Sequence, residues 1–229
     1  MKKSGTFFVV GTPIGNLKDI TLRAIEVLTQ VQLILCEDTR VTKKLLAHYH
    51  IVQPTATFHA HSQHRIFERI LSDLEEGKDI ALVSDAGMPG VSDPGERLVA
   101  FIRERSPEIS IVSIPGPSAV LSALSVSGIP SSEFVFLGFL PHKKGRNTRL
   151  AEIADSKRVI VFYESVHRIE KTLYALKESI PERYAVVSRE LTKLHEESVS
   201  GSMEYLYEYF KKHPDHIRGE FTIVVSPKK

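Results

Sequence analysis

Two stretches of this chain concentrate ionisable side chains in patterns that suit acid–base chemistry. Glu37-Asp38-Thr39-Arg40 follows a short apolar run, and Ser188-Arg189-Glu190-Leu191-Thr192-Lys193-Leu194-His195-Glu196-Glu197 follows another. Open α/β sheets put their functional residues at the carboxyl ends of strands, where both segments fall. A plainer role exists for each. Asp38 or Thr39 can cap a helix by accepting from free backbone donors. The Arg189 segment can be a solvated loop. Its two signs of charge are tightly interleaved, however, which suits the lining of a polar cleft. Phe162-Tyr163-Glu164-Ser165-Val166-His167-Arg168 is similar, with Ser165 expected to cap a helix starting near Val166. His59 and His61 are spaced to share one face of a strand, but no cysteine or matched carboxylate accompanies them. A polar pocket wall or an RNA contact fits them better than a metal, and no metal is expected. Lys143, Lys144, Arg146 and Arg149 form a basic cluster that suits phosphate contacts.

Two glycine- and proline-rich bends supply the complementary feature, a place for a ligand. Gly11-Thr12-Pro13-Ile14-Gly15-Asn16-Leu17 follows Phe7 to Val10, and Ser84-Asp85-Ala86-Gly87-Met88-Pro89-Gly90 follows Ile80 to Val83. Glycine lets the backbone come close to a ligand, and proline stiffens the bend. Neither bend has the Gly-x-Gly-x-x-Gly spacing of dinucleotide sites, and no P-loop motif is present. Asp85 and Asp93 make the second bend a poor phosphate cradle and a better seat for a neutral or cationic group.

The elements that must position these residues are legible as alternating short apolar runs and helical stripes. Strands are expected at Phe7 to Val10, Gln32 to Cys36, Ile80 to Val83 and Ile109 to Ile114. Leu22, Ile25 and Leu28 mark one helix, Val41 to His48 a second and Ile70, Leu71 and Leu74 a third, ended by Gly77. Leu98, Val99 and Ile102 mark another. This βαβα order predicts a mainly parallel sheet with helices on both faces. The break Pro115-Gly116-Pro117-Ser118 stops regular structure. Beyond it, strands at Phe134 to Phe139, Val159 to Tyr163, Ala185 to Ser188 and Phe221 to Val225 alternate with helices, and Leu194 to Gly201 offers an antiparallel strand. The reading is an α/β protein of two α/β lobes, 1–115 and 116–229.

Composition is that of a globular enzyme: 229 residues, 42% hydrophobic, 25% charged, net charge +2. So small a net charge neither requires nor excludes a nucleic-acid partner. The one cysteine, Cys36, excludes an internal disulfide and sits in an apolar run, as a buried thiol would. No run approaches the roughly 18 apolar residues of a membrane span, and the amino terminus has no signal-peptide pattern, so a cytoplasmic location is expected.

Six ordered motifs together resemble the tetrapyrrole-methylase-fold family of S-adenosylmethionine enzymes. They are Gly11 to Leu17, Cys36 to Arg40, Ser84 to Gly95, Pro115 to Ala119, Phe162 to Arg168 and Arg189 to Glu196. Within that family the resemblance is to the branch that methylates a cytidine ribose 2′-hydroxyl of small-subunit (16S) ribosomal RNA. It implies two α/β lobes of the tetrapyrrole methylase type with a cofactor cleft between them, a homodimer, and small-subunit RNA or the 30S subunit as partner. Carried over by position, S-adenosyl-L-methionine contacts fall at Ile14, Ser84, Asp85, Ala86, Gly87, Pro89, Ser118, Ala119, Glu164, Leu191 and Phe221. Because the sulfonium already activates the methyl group, the enzyme's task is positioning, helped by a base or a cation at the acceptor hydroxyl. Catalytic candidates are Glu37, Asp38, Arg40, Arg189, Glu190 and Lys193, with Glu196 beside them. The last expected strand lies close to Lys229, so the longer extension of many relatives is expected to be absent. Two other classes share such a fold: a methylase of a tetrapyrrole precursor and a non-enzymatic RNA-binding protein. The Glu37–Arg40 and Arg189–Lys193 segments argue against the first, and the intact bends argue against the second.

Overall fold

The computed structural model describes residues 4–58, 64–93 and 95–228. The chain divides into two compact units, one ending at Ser118 and the other starting at Ala119.

The first unit is a parallel sheet of β1 (Thr6–Val10), β2 (Leu33–Cys36), β3 (Thr55–Thr57), β4 (Ile80–Val83) and β5 (Ser110–Ile114), in the order β3-β2-β4-β1-β5. Side chains alternate faces along a strand; the inner strands β2 and β4 are buried on both faces and wholly apolar, whereas the edge strands β3 and β5 carry threonine and serine. Val10, Ile34, Ala81, Val83 and Ile114 pack on one face with α1 (Leu22–Gln30) and α2 (Thr39–His48). Phe7, Leu35, Ile80 and Leu82 pack on the other with α3 (His64–Glu75) and α4 (Gly95–Arg105). The expected stripe Ile70, Leu71 and Leu74 is buried there. Leu22 departs from expectation: it is exposed, because α1 turns Ala24 and Leu28 inward instead. α1 starts where the Thr21 hydroxyl accepts the Ala24 N–H. Past α3, Gly77 takes a left-handed φ of 94°.

β1 leads to β2 on one side of the sheet while β4 leads to β5 on the other. The chain thus reverses its winding direction between β4 and β1, the point at which such sheets open a crevice beyond their carboxyl ends. Both glycine–proline bends lie at that end.

The second unit has β6 (Phe134–Phe139), β7 (Val159–Ser165), β8 (Tyr184–Arg189), β9 (Glu197–Ser202) and β10 (Glu220–Val225) in the order β6-β7-β10-β8-β9. Only β6 and β7 run parallel. The antiparallel strand expected within Leu194 to Gly201 is β9, paired with β8. Phe162, Val187, Phe221 and Ile223 face a core closed by α6 (Arg146–Asp155), α7 (Ile169–Ser179) and α8 (Met203–Lys212). On the opposite face α5 (Ala119–Ser127) lies against β7, β8, β9 and β10. Ser165 does not cap a helix. β7 runs on to include it, its hydroxyl accepts the Arg168 Nε–H at 3.2 Å, and α7 starts only at Ile169.

Candidate functional site

In the first unit the two bends are fastened to each other by main chain. Thr12 and Gly87 exchange N–H···O bonds of 2.9 and 3.1 Å, and the Thr12 hydroxyl donates to the Ser84 carbonyl at 2.9 Å. Gly11 also meets the loop after β5. A Cβ built on Gly11 would lie 2.7 Å from Gly116 Cα and 2.6 Å from Met88 Sδ. Only glycine permits that approach. Gly87 has a φ of 85°, but a Cβ there would meet Ile14 and the Pro117 carbonyl at an ordinary 3.5 Å. Its requirement for glycine is therefore conformational and not one of space.

The segment after β2 joins this cluster. Ser84 Oγ donates to Glu37 Oε1 at 3.2 Å, and the Asp38 N–H donates to Asp85 Oδ1 at 3.0 Å. Asp38 caps α2, accepting the Arg40 N–H at 2.8 Å, and its carboxylate also takes the Arg40 guanidinium through Nε and Nη2, the latter at 2.6 Å. These hydrogen bonds hold Asp38 down at about 2 and raise Arg40. Glu37 moves the other way. Burial, then the charge of Asp93, pushes its carboxyl above the usual range, and the Ser84 hydrogen bond only partly offsets them. Asp93 itself is committed to the loop, accepting the Gly90 and Gly95 N–H groups at 2.7 and 2.9 Å. Cys36 is fully buried, and burial raises its thiol, as befits a core residue.

In the second unit the ionisable segment after β8 is held by side chains. Arg189 Nε donates to Glu197 Oε2 at 2.7 Å, the Tyr209 hydroxyl donates to Glu197 Oε1 at 2.7 Å, and His216 Nδ1 lies 3.0 Å from both oxygens. Burial alone would raise Glu197, but the bonds from Arg189 and Tyr209 outweigh it and leave the carboxyl low. Tyr209 is pushed up to about 12, chiefly by that same hydrogen bond. Lys193 Nζ bridges Glu190 at 2.8 Å and Glu220 at 3.0 Å. Burial opposes both charges of that pair, yet the hydrogen bond between them wins, lowering Glu190 and raising Lys193. Two non-glycine residues here are left-handed, Glu190 at 50° and Thr192 at 69°. Such strain gathers at functional sites. Among the described residues, Thr192 Oγ1 is the buried side-chain oxygen without a hydrogen-bond partner.

Of the other expected site residues, Ile14, Ser84, Ala86 and Pro89 lie in the fastened bends, with Asp85 and Ala86 exposed. Ser118 ends the first unit and Ala119 starts α5. Leu191 is buried within the charged segment. Glu164 has no exposed side chain: it ion-pairs with Arg168 at 2.7 Å and Arg146 at 3.6 Å and accepts the Thr172 hydroxyl at 2.6 Å. Its carboxylate is thus spent inside the protein, and the residue as a whole is only 1% exposed. Phe221 is equally buried. Arg146 does not belong to the surface basic cluster; Glu164 draws it inside, while Lys143, Lys144 and Arg149 stay exposed. His59, His61 and Ser62 lie outside the described residues, as does Pro94 of the second bend. Sequence reasoning missed that Glu197 pairs with Arg189 and that Tyr209 and His216 share the same carboxylate. Their only sequence signal was the density of polar groups near Glu197.

Residues 6–207 match the family model of Tetrapyrrole (Corrin/Porphyrin) Methylases. The chain belongs to the tetrapyrrole methylase family. It is 46% identical to the ribosomal RNA small subunit methyltransferase I of Thermotoga maritima, over 98% of this chain and 100% of that one. It is 44% identical to the protein of the same name from Halalkalibacterium halodurans, over 97% of this chain and 76% of that one. Among solved structures it is similar to a cobalt precorrin-4 methyltransferase, with a TM-score of 0.69, 18% identity and coverage of 96% and 94%. That distant likeness bears on the fold, which is the expected α/β architecture of the family.

Proposed function

We propose that this tetrapyrrole methylase family member is an S-adenosylmethionine-dependent methyltransferase of small-subunit ribosomal RNA, with a cytidine ribose 2′-hydroxyl as acceptor. The observation that carries this reading is 46% identity, over 98% of this chain and 100% of the other, to a protein named for ribosomal RNA methylation. The site fits a cationic sulfonium donor. Its bends are glycine-lined, its exposed Asp85 and half-buried Glu37 are acidic, and its second bend, Ser84 to Gly95, carries no lysine. When bound, that donor supplies an electrophilic methyl group. We assign its contacts to Ile14, Ser84–Gly87, Pro89 and Ser118 of the first unit and to Ala119, Leu191, Glu164 and Phe221 in the second.

Among the candidate bases, Glu37 is the one whose proton affinity is raised. Asp38 is tied to Arg40, and Glu190 to Lys193, and both are held low. A ribose hydroxyl is a weak acid, so a carboxylate with elevated proton affinity is the better general base. Arg40, Arg189 and Lys193 then serve as cations that steady developing oxygen charge. We further propose that the protein works in the cytoplasm, on ribosomal RNA or the 30S subunit, as a homodimer.

Labelled-methyl transfer onto purified small subunits tests the activity, with a tetrapyrrole precursor as competing acceptor. Transfer to the precursor alone would overturn the RNA reading, and nuclease mapping of the label to a base would overturn the ribose acceptor. Glu37→Gln should cut turnover by about 10²–10⁴-fold and leave cofactor affinity unchanged. The wild-type rate should rise with pH through a limb lying above the ordinary carboxylate range, because the ionised Glu37 is the active form and its pKa is raised. Survival of that limb in the Gln variant would exclude Glu37 as the base. Sedimentation at working concentration checks the dimer, and a fully active monomer would refute it.

A further inference from the structure

β6 is one of the two edge strands of the second sheet, yet it carries aromatic side chains on the face away from the α6–α8 core. Val135 and Leu137 point to that core, while Phe136 packs edge-on against Tyr163 with ring centroids 4.9 Å apart. The strand then departs from regular pairing. Its register with β7 shifts between Phe136 and Phe139, and Gly138 takes a left-handed φ of 62°. A bulge of this kind re-aims the following side chain. Here it sets Phe139 against Tyr163 at 5.4 Å while leaving Phe139 57% exposed. Tyr163 is itself half-buried, and burial raises its hydroxyl.

The loop that follows carries the complementary charge. Lys143 and Lys144 are exposed, and neither has an ion-pair partner among the described residues. Arg149, by contrast, is engaged by Glu152 at 2.5 Å, and Arg146 is buried against Glu164. Three residues separate Phe139 from Lys143, and the four steps of chain span at most about 14 Å. The loop is compact, with the Arg146 N–H on the Lys143 carbonyl at 3.2 Å. A nucleobase on the aromatic ring and a phosphate on either lysine are therefore within reach of one short strand.

We infer that Phe139, backed by Phe136 and Tyr163, is a stacking platform for an unpaired base of RNA, and that Lys143 and Lys144 hold the adjoining phosphates. This rests on the ribosomal RNA reading above and names where the second unit grips that substrate. Aromatic rings beside a cationic track are the chemistry of single-strand binding. A contact between protein copies fits less well, because lysine is depleted at the centres of protein interfaces.

Fluorescence anisotropy with a short labelled single-stranded RNA, alongside binding to purified small subunits, tests the platform. Phe139→Ala should weaken RNA binding about tenfold, Phe139→Trp should keep it, and S-adenosylhomocysteine affinity by calorimetry should not move in either. Lys143→Glu with Lys144→Glu should lower the slope of log affinity against log salt by about 1.4, at roughly 0.7 per phosphate released from a single strand. Wild-type RNA affinity in the Phe139→Ala protein would overturn the platform while leaving the enzyme reading intact. A Phe139→Ala protein that changes its oligomeric state and keeps its RNA affinity would overturn it in favour of a self-association surface. Wild-type protein that neither binds RNA nor methylates small subunits would take the functional reading and the platform down together.

Discussion

Around the bends of the first unit the contacts run mostly from main chain to main chain, whereas the segment after β8 in the second unit is held by charged side chains. Thr12 and Gly87 exchange backbone bonds, and Gly11 lies against Gly116. Arg189, Glu190 and Lys193 are each fixed by an opposite charge, on Glu197, Lys193 and Glu190 with Glu220. The difference has physical consequences. A main-chain cluster fails when a Cβ is inserted and is indifferent to pH and salt. A charge-built cluster tolerates changes of shape but fails when a partner is neutralised.

The largest effect should come from breaking the second kind. Glu164→Ala leaves Arg168 and Arg146 without their buried carboxylate, and removal of one partner from such a network costs about 3–5 kcal/mol. Urea denaturation measures it. A loss below 1 kcal/mol would mean that water replaces the carboxylate and that the network is less closed than the fully buried Glu164 side chain indicates.

The first kind breaks by crowding. A Cβ on Gly116 would lie 2.8 Å from Gly11 Cα, and backbone cannot swing aside as a side chain does. Gly116→Ala should cost about 2 kcal/mol, within the range for overpacking, and should weaken cofactor binding, since it parts the loops that carry Ile14 and Ser118. Gly87→Ala meets no such obstacle and should cost only the strain of a left-handed alanine, about 1 kcal/mol. Equal losses in the two variants would show that crowding does not govern the cluster.

This contrast also explains what could be read from the sequence. Most of the parallel sheet was legible because β1, β2 and β4 are short apolar runs between helical stripes, whereas β3, Thr55–Thr57, is partly polar and has no buried residue. The bends were legible because glycine and proline act on their own backbone. Charge-built features depend on partners that the sequence does not bring together. Arg146 read as one more surface cation, since Thr172, which it contacts, is 26 residues away. Ser165 read as a helix cap, but β7 kept it and Arg168 took its hydroxyl. Leu22 read as core because it shares a helical stripe, yet it sits at the first position of α1, where the helix end faces solvent. The strained pair Glu190 and Thr192 has no glycine to announce it; the glycine is Gly219, against which the Glu190 side chain packs so closely that a Cβ there would overlap it.

A smaller effect is expected where charge is only partly buried. Glu197→Gln removes the carboxylate that Arg189, Tyr209 and His216 share, but keeps one oxygen for hydrogen bonding. The cost should be about 1 kcal/mol. Because Glu197 is held low, its contribution exists above the unfolded carboxylate pKa and is lost as pH falls through the folded one. The wild-type and variant stability curves should therefore converge in acid. Curves that stay parallel down to pH 2 would assign the interaction to packing instead of charge.

The smallest effect divides the two kinds of contact at a single residue. Asp38 is solvent-facing, and its pKa of about 2 comes first from the Arg40 side chain and then from the Arg40 backbone N–H. Arg40→Ala removes the guanidinium but leaves the N–H that caps α2. The folded pKa is depressed, so the stabilisation is present above the unfolded value of about 3.9 and disappears as pH falls toward 2. In the variant, the carboxyl followed by NMR should titrate between those two values, and the remaining depression should persist in 1 M salt. Screening at that ionic strength acts over about 3 Å and weakens exposed ion pairs, while a short hydrogen bond to backbone is not a separated charge pair. Full return to about 3.9 in Arg40→Ala would mean that the cap contributes nothing to the carboxylate. The segment after β2 would then belong with the charge-built contacts of the second unit, and Glu37 beside it would lose the rigid main-chain seat from which its role as base is argued.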